Sequence, residues 1–395
     1  MKSYNHLMEI YLTEDNYKLA VTNATRHKYG KKKKREQAQE YREKVDEYMP
    51  EILQYAEHYK NEHHTPILIY DGVRRKKRMI VVPTMREQIV HHMIVNVMKP
   101  IFQKGMYEHS YGSVPGRGAH LAKRRVEKWI RTGGRKIKYC LKMDIRKYFD
   151  SVPHDILKAK LAKIIHDEAF LQILDEVVDA SPGDKGIPIG FYTSQWFANW
   201  YLEDLDHFIK EKLKAEYYIR YMDDMVIFGP NKRKLHKMQR DIDRYLNDKL
   251  GLQMKSNWQV FLFDYVDGSG QRRGRDLDFM GFRFYRDKTL LRKALMIKAC
   301  RKAKRIAKKD ITTSYDARQM ISYYGWFDIT DTYGMYKRRI KPYVNYRHMT
   351  RLISNQQRRE NLCGKESKTD VAQNQPQSTQ HHQKNGTISE KTSCS

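Results

Sequence analysis

Cysteine is scarce in this 395-residue chain: there are four, Cys140, Cys300, Cys363 and Cys394, and no two stand in a CxxC pair. That scarcity argues against a zinc ribbon or a disulfide framework and leaves reduced thiols as the expectation. Long apolar runs are missing too. No segment approaches the roughly 20 apolar residues a membrane span needs, and the opening MKSYNHLMEIYLTEDNYKLA has no apolar core of signal-peptide length. A soluble, cytoplasmic protein with no membrane partner is therefore expected. No internal repeat is visible. Acidic residues are in short supply, 47 against 76 Lys and Arg, giving 76 − 47 = +29. An excess of that size points to a polyanionic partner, because dense Lys and Arg neutralise phosphates and release their counterions.

What is present is clustered. Basic runs stand at His27–Arg35 (HKYGKKKKR, with Lys31 and Lys32), at Arg74–Arg78, and along a helical-looking stretch from Arg292 to Lys309 that carries Arg292, Lys293, Arg301, Lys302 and Arg305. Any one of them could be a solvated face; three suggest a nucleic-acid track. Tyr41, Val45, Met49, Ile52, Leu53 and Ala56 recur at helical intervals, so residues 1–64 read as a basic helical extension. PILIYDGVRRKKRMIVVP reads as a hairpin turning at Asp71-Gly72. Met85–Gln103 reads as an amphipathic helix stopped near Pro100, followed by the loop YGSVPGRGAH, a helix over Leu121–Ile130 and a strand at about Lys138–Asp144. Further strands are expected in WQVFLF and LDFMGFRFYR, and helix from Leu290 to Ser354. From Ser367 onward the only branched aliphatic residues are Val371 and Ile388, a composition that cannot offset its own ordering entropy, so this tail is expected to be disordered.

Two acidic stretches carry the chemistry: LKMDIRKYFDSVPHDIL (Leu141–Leu157) and YMDDMVIFG (Tyr221–Gly229). Each sets aspartate at the end of an apolar strand-like run, and the second reads as a hairpin with Asp223 and Asp224 at its tip. A lone Asp-Asp pair is about as often a hydrated turn as a site. Wedged between strand formers, with Asp144 available from another strand, the three carboxylates instead predict a site for two Mg²⁺ ions, since hard oxygen ligands suit that ion. Asp144 and Asp223 would bridge the ions, Asp224 would support them, and Ile145 beside Asp144 joins the metal set. Asp150, six residues past Asp144, is expected to turn away.

These residues resemble reverse transcriptases: motif A in MDIRKYFDSV, motif B in GIPIGFYTSQWFAN, motif C in YMDD, motif D around LGLQMKSNWQ and motif E in LDFMGFRFYR, in order from about Pro66 to Arg286. The resemblance implies an α+β right-hand polymerase fold, with fingers over 65–137, a palm built on an antiparallel sheet over 138–287, a helical thumb over 288–354 and a tail over 355–395. It implies dNTPs, an RNA template and a DNA primer as partners. Phe149 matches the aromatic gate against a ribose 2′-hydroxyl, a core phenylalanine being the alternative. Arg78 and Arg117 match finger residues that hold the triphosphate, against plain surface solvation. Lys255 matches a lysine that protonates pyrophosphate, against a merely exposed one.

Motif B narrows the likeness. Ile189-Gly190 and Ser194-Gln195 stand where most retroviral, retron and group II intron enzymes carry Gln-Gly and Ser-Pro, which is similar to the enzymes of diversity-generating retroelements. That likeness implies a bacterial or phage-encoded enzyme that copies a noncoding RNA with errors at template adenines, alongside a ring-forming basic accessory protein. Ile189 in place of glutamine would remove a polar check on pair geometry. Antiphage-defence and group II intron-like reverse transcriptases are the alternatives, with a non-catalytic RNA-binding protein behind them.

Overall fold

The computed structural model describes residues 3–26, 32–71, 76–356 and 358. Lys31, Gly72 and the tail from residue 359 onward lie outside the described residues, as does the side chain of Lys32. Two compact units are distinguished. One comprises residues up to Lys298 with Ile329–Tyr333, the other Ala299–Asp328 and residues from Gly334 onward.

In the first unit, β1 (Ile67–Asp71) and β2 (Lys76–Ile80) pair as a hairpin, and apolar strand-forming runs build a four-stranded antiparallel sheet of β3 (Tyr139–Asp144), β4 (Tyr217–Tyr221), β5 (Asp224–Gly229) and β6 (Gln259–Leu262). The sheet order is β4-β5-β3-β6. Because side chains alternate across a strand, each strand offers one face to the core. Leu141, Met143, Tyr218, Met225 and Ile227 join the main core, which is completed by helical residues such as Phe102, Trp196, Phe197 and Leu246. Lys142 and Asp144 fall by the same period on the opposite face of β3, and Asp224 is aligned with Asp144 across the ladder.

The helix expected to stop at Pro100 runs on from Met85 to Lys104. Its start is set by a capping box in which the Thr84 side chain accepts from the Glu87 amide and the Glu87 carboxylate accepts from the Thr84 amide. Proline costs a helix interior about 3 kcal/mol. Here the turn beyond it buries Ile101 and Phe102, with Phe102 against Trp196, Phe197 and Trp200, and that burial outweighs the lost hydrogen bond. The amino-terminal extension is helical over Leu7–Tyr11, Glu14–Thr25, Lys32–Glu43 and Val45–Glu57.

Leu277–Phe279, Phe282–Phe284 and Thr289–Leu291 form a small antiparallel sheet, so Leu290 and Leu291 end a strand where helix was expected to begin. Helix follows over Lys293–Ile306, Ser314–Asp328 and Tyr333–Arg339. Within the second unit, Ala303, Ile306, Ala317, Met320, Phe327, Tyr336 and Ile340 are buried. Among the described residues no helix is long and apolar enough to cross a membrane.

Candidate active site

The three aspartates reach one place by register. Asp144 ends β3 and pairs directly with Asp224 at the start of β5, while Tyr221 at the end of β4 pairs with Asp224 from the other side. Met222 and Asp223 are therefore the loop of a two-residue hairpin. Met222 takes a left-handed conformation (φ 56°), which costs a residue with a side chain of order 1–2 kcal/mol. Like charges placed directly across a ladder repel, so the site holds its carboxylates against their mutual electrostatics.

That tension appears in their protonation. Burial, then the negative charge of Asp144, pushes Asp223 up to about 6. Burial pushes Asp224 up to about 7, with Lys142 pulling the other way and Asp144 and Asp223 adding to the rise. Lys142 Nζ lies 3.4 Å from an Asp224 oxygen, and Lys255 Nζ pairs with Asp144 while its backbone amide donates to the Asp144 carbonyl at 2.8 Å. Even so, Asp144 Oδ1 and Asp224 Oδ1 are buried without a hydrogen-bond partner. Two partnerless carboxylate oxygens, shielded from water and held beside a third carboxylate, are the donor set a hard divalent cation requires. By donor chemistry the residues suit Mg²⁺, and Asp144, Asp223 and Asp224 are those that could hold it. The Ile145 side chain is fully buried beside them. Asp150 is exposed, on the short Tyr148–Ser151 helix.

Around this centre the other expected residues fall into three groups. Phe149 is half-buried, its ring edge-on to Tyr148, and its carbonyl accepts from the Ile187 amide at 2.8 Å. Ile189 is half-buried, and its carbonyl accepts from the Val81 amide at 2.8 Å, joining the segment that follows β2 to the loop before the Tyr192–Tyr201 helix. Gly190 sits at φ +125°, and a Cβ there would stand 1.9 Å from the Val81 carbonyl oxygen. Gln195 is exposed on the first turn of that helix.

The arginines form the second group. Arg78 lies on β2 opposite Ile69. Arg117 spends one guanidinium nitrogen on the carbonyls of Tyr107 (2.7 Å) and Ser110 (3.0 Å), bracing the loop that contains them. The expected nucleic-acid contacts are the third group, and they divide. Lys293, Arg301 and Arg305 are exposed, whereas Arg292 pairs with Asp278 and Lys302 with Asp316 (2.9 Å).

Sequence reasoning missed several participants. Lys142 was legible as the residue two before Asp144 on the same strand face. Asp206 and Asn199 were not, because they lie on separate helices and reach the hairpin through side-chain bonds that no local pattern announces, Asp206 to Tyr218 and Arg220, and Asn199 to Arg220.

The family model for reverse transcriptase (RNA-dependent DNA polymerase) matches residues 61–284, more than half of the chain. The chain is similar to the 91 kDa protein in the cob intron of Schizosaccharomyces pombe, at 31% identity over 38% of this chain and 19% of that protein. It is also similar to the retron Ec73 reverse transcriptase of Escherichia coli, at 25% identity over 41% of this chain and 56% of that one. The apo telomerase of Candida tropicalis is a solved structure with some likeness, at 13% identity over 69% of this chain and 55% of that chain, with a TM-score of 0.46. The chain spans between about a fifth and just over half of the length of these curated relatives.

Proposed function

The chain belongs to the reverse transcriptase family, and from that premise we propose that it is an RNA-directed DNA polymerase, extending a DNA primer on a noncoding RNA template. The observation that carries the reading is the pairing of Asp144 with Asp224 on the sheet face opposite Leu141 and Met143, each with a buried oxygen that has no hydrogen-bond partner, beside Asp223 in the hairpin loop. When bound there, two Mg²⁺ ions lower the pKa of the attacking 3′-hydroxyl and hold the departing pyrophosphate.

The chain's own residues do the rest. Asp144, Asp223 and Asp224 would hold the ions, their carboxylates offsetting the cations' charge. Lys255, already against Asp144, supplies a proton to the pyrophosphate. Phe149 crowds a ribose 2′-hydroxyl and so selects deoxynucleotides. Arg78 and the unspent nitrogens of Arg117 receive the triphosphate, a task suited to guanidinium geometry. Residues 65–137 act as fingers, 138–287 as palm and 288–354 as thumb, with Lys293, Arg301 and Arg305 on the phosphates of the template–primer duplex.

The finer reading is mutagenic copying at template adenines, as in a diversity-generating retroelement, supported by Ile189 and Gln195 in motif B. Similarity to the intron-encoded protein and the retron reverse transcriptase supports a second reading, an intron-like or defence reverse transcriptase whose errors do not concentrate at adenine.

One experiment addresses both. Purified protein with Mg²⁺ extends a DNA primer on RNA, and Asp223→Ala abolishes extension while RNA binding persists. Sequencing the cDNA then separates the two readings by whether errors concentrate opposite adenine. Wild-type protein that extends no primer, with Asp223→Ala indistinguishable from it, overturns the polymerase assignment.

A further inference from the structure

A fully buried ion pair lies behind the catalytic hairpin, and its neighbours join four elements. Arg220 and Asp206 have no exposed side-chain surface. Asp206 accepts from Arg220 Nε at 2.8 Å, from Arg220 Nη2 at 2.5 Å and from the Tyr218 hydroxyl at 2.6 Å. The guanidinium's remaining donors go to the Asn199 side-chain oxygen (3.3 Å), the Asn199 carbonyl (3.2 Å) and the Met222 carbonyl (3.1 Å). Asn199, itself buried, donates its amide to the Gly112 carbonyl at 2.7 Å. The loop containing Gly112 is tied to β4 through the Arg220 amide on the His109 carbonyl and the Tyr111 amide on the Arg220 carbonyl, both 3.0 Å. It also presses on the turn, since a Cβ on Gly112 would stand 2.5 Å from Met222 Cγ and 2.6 Å from its backbone nitrogen.

A left-handed Met222 persists only if its surroundings over-determine it. This network grips that residue directly, through its carbonyl and through the glycine packed on its amide. Hydrophobic side chains of the same volume would often be as stabilising as a buried ion pair, so packing alone does not account for a guanidinium whose fork reaches three separate elements.

We propose that Asp206, Arg220 and Asn199 are positioning residues for the metal site: they hold the Met222 turn so that Asp223 and Asp224 stay beside Asp144. This rests on the polymerase reading for its role in catalysis, but not for its role in metal binding. Groups that orient metal ligands without touching the metal change affinity or activity by ~10–100-fold when removed.

The test uses Asn199→Ala, which leaves the ion pair intact, and Arg220→Lys, which keeps the charge and loses the fork. A third variant, Arg220→Met with Asp206→Leu, leaves no unpaired buried charge and guards against a simple folding failure. Mn²⁺ affinity is measured by electron paramagnetic resonance on the protein alone, and primer extension gives kcat, the dNTP KM and the Mg²⁺ concentration for half-maximal rate.

The expected result for all three is Mn²⁺ binding weakened ~10-fold or more, a matching rise in the Mg²⁺ requirement, and a lower kcat with the dNTP KM little changed. Folded variants with wild-type Mn²⁺ affinity and Mg²⁺ requirement overturn the proposal, whatever their kcat. If wild-type protein extends no primer yet binds Mn²⁺, and Asn199→Ala weakens that binding, positioning stands and the polymerase reading falls.

Discussion

Asp224→Asn should stabilise the metal-free protein while destroying its activity. Burial and neighbouring carboxylates hold the Asp224 carboxyl in its neutral form up to about pH 7, from an ordinary value of 3.8. The folded state therefore keeps a proton that the unfolded chain has released, and stability falls as pH rises from about 4 through 7. The rise is 7 − 3.8, about 3 units; at 1.36 kcal/mol per unit the upper bound is about 4 kcal/mol. The side chain is 28% exposed, so solvent screening brings the effect below that bound, to about 1–3 kcal/mol.

Asparagine has the shape of the protonated acid and carries no charge at any pH. In chelator at pH 8, urea unfolding should show the variant more stable by that amount. The gap should shrink by more than half at pH 5, where wild-type Asp224 is already neutral in the folded state. Saturating Mg²⁺ should erase or reverse it, because the cation binds only the ionised site and stabilises what it binds. A variant no more stable than wild type at pH 8, or a gap independent of pH, would refute the claim that the site stores electrostatic repulsion for a cation to relieve.

Two further outcomes follow from motif B. Gly190→Ala places a methyl 1.9 Å from the Val81 carbonyl at a φ of +125°, so it should lower stability by about 1–3 kcal/mol, measured by urea unfolding, and raise the KM for dNTP as the Val81–Ile189 link is pushed apart. Ile189→Gln should lower misincorporation opposite adenine while polymerisation continues, read by sequencing the cDNA; an unchanged error spectrum would remove Ile189 from any account of fidelity.

How much was legible depended on how local the cause was. The Asp144 and YMDD strands announced themselves because a two-residue period and apolar flanks are properties of a few consecutive residues. The Pro100 stop was misplaced because proline's local penalty was read without the burial of Phe102 against Trp196, Phe197 and Trp200. Arg292 and Lys302 looked free for phosphate because their acidic partners, Asp278 and Asp316, stand 14 residues away in the chain. Lys255 was identified from motif D, but only the fold revealed its ion pair with Asp144.

Residue type and alternation determined that this basic chain sets Asp144, Asp223 and Asp224 beside strand-forming runs, because carboxylate chemistry and strand period are written into short segments, and the resemblance of its ordered motifs to reverse transcriptases did the rest. Tertiary structure decided how those carboxylates are held. The antiparallel register aligned Asp144 with Asp224, burial raised the pKa of two of the three, and Arg220, reaching Asp206 and Asn199 on helices distant in sequence, gripped the turn between them. Register, burial and convergence of distant residues are relations between segments, and they exist only once the chain has folded.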